Sequence, residues 1–258
     1  MILRLLMLVF VPLLLLSGLS CGQKSFVDCE EELDIGDPDR TVCVAKTDDE
    51  VAMLALNNGN LTKAQTLLEK LIEENPTDWF RYPRLAAVYA RQGGFDLINI
   101  IDIKGGGGGF LGVVGEFLPT PNPDDITSYV ALVEKVGLAK DTLLLMPSTE
   151  RIPGDTLYGA SAEIQLTLYQ TAYSIMFMNQ FALPSSDGSG DLDPERLEEM
   201  TPEDAAVILD NLAQASRNSE QSDPETAAKI DAALEEIDAF PGADNKEKIV
   251  NYLNASEE

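Results

Sequence analysis

The chain has no histidine among its 258 residues. That absence excludes Ser-His-Asp and Cys-His catalysis, histidine-based zinc sites and the imidazole pH switch. Basic residues are scarce too: 18 Lys and Arg stand against 44 Asp and Glu, for a formal net charge of −26. Such a chain repels nucleic acid and anionic membrane surfaces, so neither is expected as a partner through charge. There is no S-x-x-K, and GASAE at 159–163 resembles a nucleophile elbow with no base to serve it. Paired carboxylates are too frequent here to mark a site. No segment alternates strongly enough to predict a sheet. The expectation is an all-α protein that is not an enzyme.

The N-terminus carries the most information. Met1 to Arg4 makes a short positive start, and Leu5 to Leu16 is almost purely apolar. That run has the length of a signal-peptide core and is too short to span a bilayer. Small residues follow in LSGLSC, ending at Cys21. This stretch resembles a bacterial lipoprotein signal, in which the cysteine becomes the lipidated N-terminus. It departs at Gly18, where that family usually has leucine. The resemblance implies cleavage of residues 1–20, acylation of Cys21, and a place in the cell envelope facing the periplasm or the exterior. Several acyl chains on one cysteine would anchor stably. The other reading is an ordinary cleaved signal with a structural Cys21. In such an oxidising compartment Cys29 and Cys43 form an even pair, whose bridge would close a loop of about 15 residues, worth roughly 3 kcal/mol in the chain-entropy model. The alternative is two free thiols.

Residues 22–47 are polar, acidic and turn-rich, and 21–47 reads as an acidic tether. From Asp48 the pattern becomes helical. Shifting the chain against itself by 34 residues aligns Val51 with Leu85, Ala52 with Ala86, Ala55 with Tyr89, Gly59 with Gly93 and Leu61 with Phe95. Both copies read as helix, turn, helix. Gly59, Leu61, Ala64, Leu68, Leu71 and Pro76 stand where the tetratricopeptide repeat wants them. So do Tyr82, Leu85, Ala86, Tyr89, Gly93 and Phe95 in the second copy. Residues 48–104 therefore resemble two such repeats, although Ile98 replaces a small residue and no proline closes the second copy. An unrelated pair of helical hairpins is the other reading. The resemblance implies a concave surface lined by first helices, with Asn57, Ala87 and Arg91 near it. Arg84 and Arg91 are seven apart on one predicted helix and so share a face. Arginine there suits a partner's carboxylate; the alternative is that both merely neutralise neighbouring acids.

Residues 105–123 read as a Gly- and Pro-rich linker. Gly107, Gly109 and Gly112 spell G-x-G-x-x-G, but a dinucleotide fold needs several strands and LINIIDI is the one candidate. No V-A-I-K, H-R-D, D-F-G or G-x-x-x-x-G-K-[ST] occurs, so no nucleotide is expected. Residues 124–258 read as a helical domain ending in acidic helices. DDITSYVALVEKVG predicts a helix ending at Gly137. Residues 156–183 hold one charged side chain, Glu163, and predict a central core helix, since a helix apolar all round is buried or spans a membrane and Gln165, Thr167, Gln170 and Thr171 argue against spanning. Asp193-Pro194-Glu195, Thr201-Pro202-Glu203 and Asp223-Pro224-Glu225 each place a capping side chain, a proline and an acid at a helix start. Asp187, Ser189, Asp191, Asp193, Glu195 and Glu198 have the oxygen spacing of a calcium loop, with Leu192 in place of the turn glycine. The alternative is a well-capped acidic loop. Beyond that calcium no cofactor is expected.

The leading expectation is a lipid-anchored envelope scaffold holding other envelope proteins or peptides. The alternative is a periplasmic accessory subunit that binds a small ligand between its helices, for example for a transporter. Cys21→Ser should move the protein out of the membrane fraction. Persistence of that variant in carbonate-washed membranes would refute acylation as the anchor.

Overall fold

The computed structural model describes residues 30–34, 37–44, 47–96, 111, 114–151, 159–185, 192–220 and 222–255. Cys21, Cys29 and the glycine run 105–109 lie outside the described residues. The fold is all-α, with ten helices among the described residues. They are α1 (Asp48–Asn57), α2 (Leu61–Glu74), α3 (Arg81–Gln92), α4 (Ile126–Leu144), α5 (Ser148–Arg151), α6 (Gly159–Asn179), α7 (Pro194–Glu199), α8 (Pro202–Ser219), α9 (Pro224–Ala239) and α10 (Asn245–Ala255). The chain divides into two compact units, Met1–Val88 and Tyr89–Glu258.

The segment expected to be a tether contains a β-hairpin. Strands β1 (Glu30–Asp34) and β2 (Asp37–Val44) pair antiparallel, with Glu31 opposite Cys43 and Leu33 opposite Thr41. The β-branched residues Thr41, Val42 and Val44 favour extended backbone, against the low strand preference of the Asp and Glu around them.

In the first unit α1 and α2 form a helical hairpin. Thr47 caps α1 in a reciprocal box with Glu50: the Glu50 amide donates to Thr47 Oγ1 at 3.2 Å, and the Thr47 amide donates to Glu50 Oε2 at 2.7 Å. Ala64, Leu68 and Leu71 make the buried stripe of α2.

The ends of α1 and α3 close in the same way. The Asn60 amide reaches Ala55 O and the Gly59 amide reaches Leu56 O; the Phe95 amide reaches Ala90 O and the Gly94 amide reaches Arg91 O. Gly59 and Gly94 take φ +74° and +78°, the left-handed cap that glycine enters without strain. These caps repeat at 35 residues, whereas the buried pairs Ala52/Ala86 and Ala55/Tyr89 repeat at 34. The structure thus corrects the pairing of Gly59 with Gly93: the second helix gains one residue before its turn.

In the second unit α6 is the central element, packed against α4 on one side and α8 on the other, while α9 and α10 pack on α8. Ala162, Leu166, Tyr169, Ala172 and Met176 are fully buried on α6. Phe95, following the α3 cap, meets Tyr169 edge-on with ring centres 6.0 Å apart. The polar residues of α6 face inward as well. Gln170 has no exposed surface; its Nε2 donates to Gln214 Oε1 at 3.2 Å, and its Oε1 accepts from Asn218 Nδ2 at 2.8 Å. Between α8 and α9, Ser216 Oγ donates to Asp231 Oδ1 at 2.6 Å.

Gly137 does not end its helix. α4 continues to Leu144, and Gly137 is buried where a β-carbon would come within 3.1 Å of Tyr173 Cε2. Its glycine serves the close approach of α4 and α6. The three proline-started helices form as their sequences predict. Asp193 accepts from the Glu195 amide, Thr201 from the Asp204 amide and Asp223 from the Thr226 amide, at 3.0 to 3.1 Å.

Gly93 is a closer contact still, since a β-carbon there would stand 2.6 Å from Val136 Cγ2 and 2.9 Å from Leu132 O. Gly93→Ala should cost about 1–3 kcal/mol, because backbone as well as side chain must yield. A denaturation midpoint equal to wild type would show that α3 and α4 do not approach this closely.

Candidate functional site

Most of α3 is buried, and its half-exposed residues are Arg81, Arg84, Ala87, Arg91 and Gln92. Steps of three and four keep the first four on one face of the helix. Three of the chain's few basic residues therefore form one outward stripe. Asn57, at the end of α1, is exposed.

The three arginines differ in what they do. Arg81 is a structural clip, with its side chain 13% exposed. Its Nη1 donates to Leu71 O at 2.6 Å and its Nη2 to Asp49 Oδ2 at 2.8 Å, while Nε lies 3.3 Å from Asp78 Oδ2. One guanidinium thus ties the first turn of α1, the C-terminal half of α2 and the turn before α3. Arg84 sits over Phe80, its Cζ 3.3 Å from the ring centre, a cation–π contact that guanidinium favours. Its Nη1 is 3.7 Å from Asp49 Oδ1, within ion-pair range but beyond a hydrogen bond. Arg91 Nε sits 3.4 Å from Asp96 Oδ2. Both expected partner-binding arginines therefore have a local acid beside them, at distances longer than a bidentate contact uses.

The candidate calcium residues are not brought together among the described residues. Asp187, Ser189 and Asp191 lie outside them. Asp193 caps α7, and its amide donates to Leu183 O at 2.7 Å beside a bridge between Pro184 and Leu192. Glu195 and Glu198 are exposed on α7. No group of three or more Cys, Asp or Glu side chains converges as a metal site among the described residues. No helix of the described residues is long and apolar enough to cross a membrane.

A groove of about 620 Å³ that the sequence did not announce lies between α7 and α10. Leu192, Leu197 and Val250 are apolar residues of its lining, and Ser185, Glu198, Lys246, Asn251 and Asn254 are polar ones. Lys246 Nζ donates to Glu198 O at 3.0 Å and so joins α10 to the end of α7. Asn251 Nδ2 donates to Pro241 O at 2.6 Å. The residues come from positions 185 to 254, so no local motif could have signalled the groove.

No family model, curated protein or solved structure matches this chain.

Glu163, the single charged residue of the long apolar segment, is half-buried on α6. Burial pushes its carboxyl above the usual 4.5, and the charge of Arg151 offsets part of that rise. The raised value means that the folded state holds this proton more tightly than the unfolded chain. Its contribution to stability is then fully present below the unfolded value and is lost as pH rises through the folded one. Glu163→Gln should therefore be more stable than wild type at pH 7, with the difference shrinking toward pH 4. Melting curves at both pH values check this. A variant less stable at pH 7 would mean that the Arg151 pairing outweighs desolvation.

Proposed function

We propose that this protein is a lipid-anchored cell-envelope scaffold that captures an acidic segment of another envelope protein on the outward stripe of α3. The observation that supports it most is the stripe itself. On a helix otherwise buried, in a chain with net charge −26, the more accessible side chains include Arg84 and Arg91. Arginine at a protein surface suits carboxylates because its planar fork offers paired donors. The contact with the Phe80 ring restrains the Arg84 guanidinium, which lowers the entropy lost when a ligand orders it. The helical hairpin α1–α2 and the repeated cap at Gly59 and Gly94 are in keeping with the tetratricopeptide-like reading of residues 48–104, a class of repeat whose working surface is an array of helix faces. Anchoring through Cys21 would place that surface outside the cytoplasm.

Holding a partner rather than transforming a substrate is in keeping with the absence of histidine. The competing reading, a small ligand held beside residues 156–183, gains little from α6. Among the described residues, its sides toward α4 and α8 are packed with its own side chains and with the Gln170 hydrogen bonds.

The test leaves Arg81 intact, because its removal would strand the partly buried Asp49 carboxylate. Arg84→Ala with Arg91→Ala should keep the helical circular dichroism of wild type and lose the protein that co-purifies from the native envelope. Recovery of the same partner in the same yield would refute the stripe as the capture surface.

A further inference from the structure

We infer that the groove between α7 and α10 is a second binding surface, of opposite charge preference, for a short basic-and-aliphatic peptide segment. Its volume of about 620 Å³ falls in the range of roughly 300–1,000 Å³ that holds specific ligands. Glu198, Glu247, Asn251 and Asn254 on its rim are all exposed, so a ligand's polar groups can reach them. Leu192 and Leu197 are buried beneath the groove, so the apolar area open to an aliphatic side chain comes from Val250, half-buried, and Pro194, exposed.

The rim decides the sign of the ligand. Lys246 is the single cation of the lining; its ammonium donates to the carbonyl oxygen of Glu198, a neutral group, and keeps its charge, so the lining carries two carboxylates against one ammonium. The Glu198 carboxylate has no ion-pair partner among the described residues. Glu247 keeps one oxygen on the Ala243 amide at 2.6 Å, which holds its carboxylate in place without neutralising it. A cationic side chain entering between Glu198 and Glu247 would supply the missing charge, and the strongly acidic chain would draw such a ligand in from a distance. Asn251 donates to Pro241 O through its amide nitrogen, so its Oδ1 can accept from a peptide N–H. Ser185 and Asn254 add further donors and acceptors for an extended backbone. The ligand class that meets all of these features carries lysine or arginine alternating with leucine or valine.

The mature full-length protein is titrated with the peptide acetyl-Lys-Leu-Lys-Val-Lys-amide, with binding read by fluorescence polarisation of a labelled copy and by backbone amide NMR. Binding should shift the signals of Val250, Asn251 and Asn254. Glu198→Lys should weaken it by about tenfold or more, the scale of one charge-assisted contact. Asn254→Arg, on the opposite wall, should weaken it as well. Glu235→Lys makes the same charge change on an exposed site of α9 outside the groove and should leave binding unchanged. The counterpart with serine for the aliphatic residues should bind more weakly, and the counterpart with glutamate for lysine should not bind. Equal weakening by Glu198→Lys and Glu235→Lys would show that the peptide senses net charge alone and would overturn the proposal. Equal affinity for the serine peptide would overturn it too, because the apolar lining would then play no part. The probe is synthetic and the α3 variants do not touch this groove, so failure here leaves the stripe reading standing, and failure there leaves the groove.

Discussion

The second unit depends on the burial of α6. Almost no side of this helix can face water, so it must lie between two others, and α4 and α8 supply them. The seam toward α8 is not purely apolar. Gln170, fully enclosed, has an amide that must be answered on both atoms, and Gln214 and Asn218 answer it. An unanswered buried amide costs about 1–3 kcal/mol, so this pairing selects one rotation of α8 on α6 over others of similar apolar contact. On the other side, Gly137 admits Tyr173, and Tyr173 continues through Phe177 to Phe181 as a run of aromatic contacts along α6. One helix thereby sets the positions of both its neighbours, and α8 in turn carries α9 and α10.

Around that centre the helix boundaries are governed locally. Proline after Asp193, Thr201 and Asp223 suits the first helical position, where the missing amide would have had no partner, and the preceding oxygen accepts an orphan N–H. Starts defined this sharply place α7, α8 and α9 at definite points along the chain. The groove between α7 and α10 follows from that placement, with Lys246 bridging to the last turn of α7.

The first unit is organised differently, around charge. Arg81 gathers Asp49, Asp78 and a carbonyl of α2 at one point, and it is well shielded from solvent. Arg84 stands more openly on the same helix, near Asp49, and Arg91, on the part of that helix that belongs to the second unit, lies near Asp96. The same residue type therefore has a structural role at the start of α3 and an accessible one further along. The difference comes from burial.

The sequence by itself determined the all-α class, the central place of the 156–183 segment, the three capped starts and the shared face of Arg84 and Arg91. These depend on composition, on periodicity near 3.6 and on capping within four residues, all of which are local. It misjudged Gly137, because a glycine that ends a helix and one that admits a neighbouring ring look alike until the neighbour is known. It missed the hairpin at 30–44, where β-branched residues were outweighed by acidic composition. It set the second turn one residue early, since apolar spacing fixes a buried face but not the hydrogen bonds that close a helix. Only the tertiary structure decided that Arg81 clips three segments, that Gln170 is answered from 44 and 48 residues away, and that residues from 185 to 254 enclose a groove. Each of these needs side chains distant in sequence to meet, and their meeting is set by how whole helices pack.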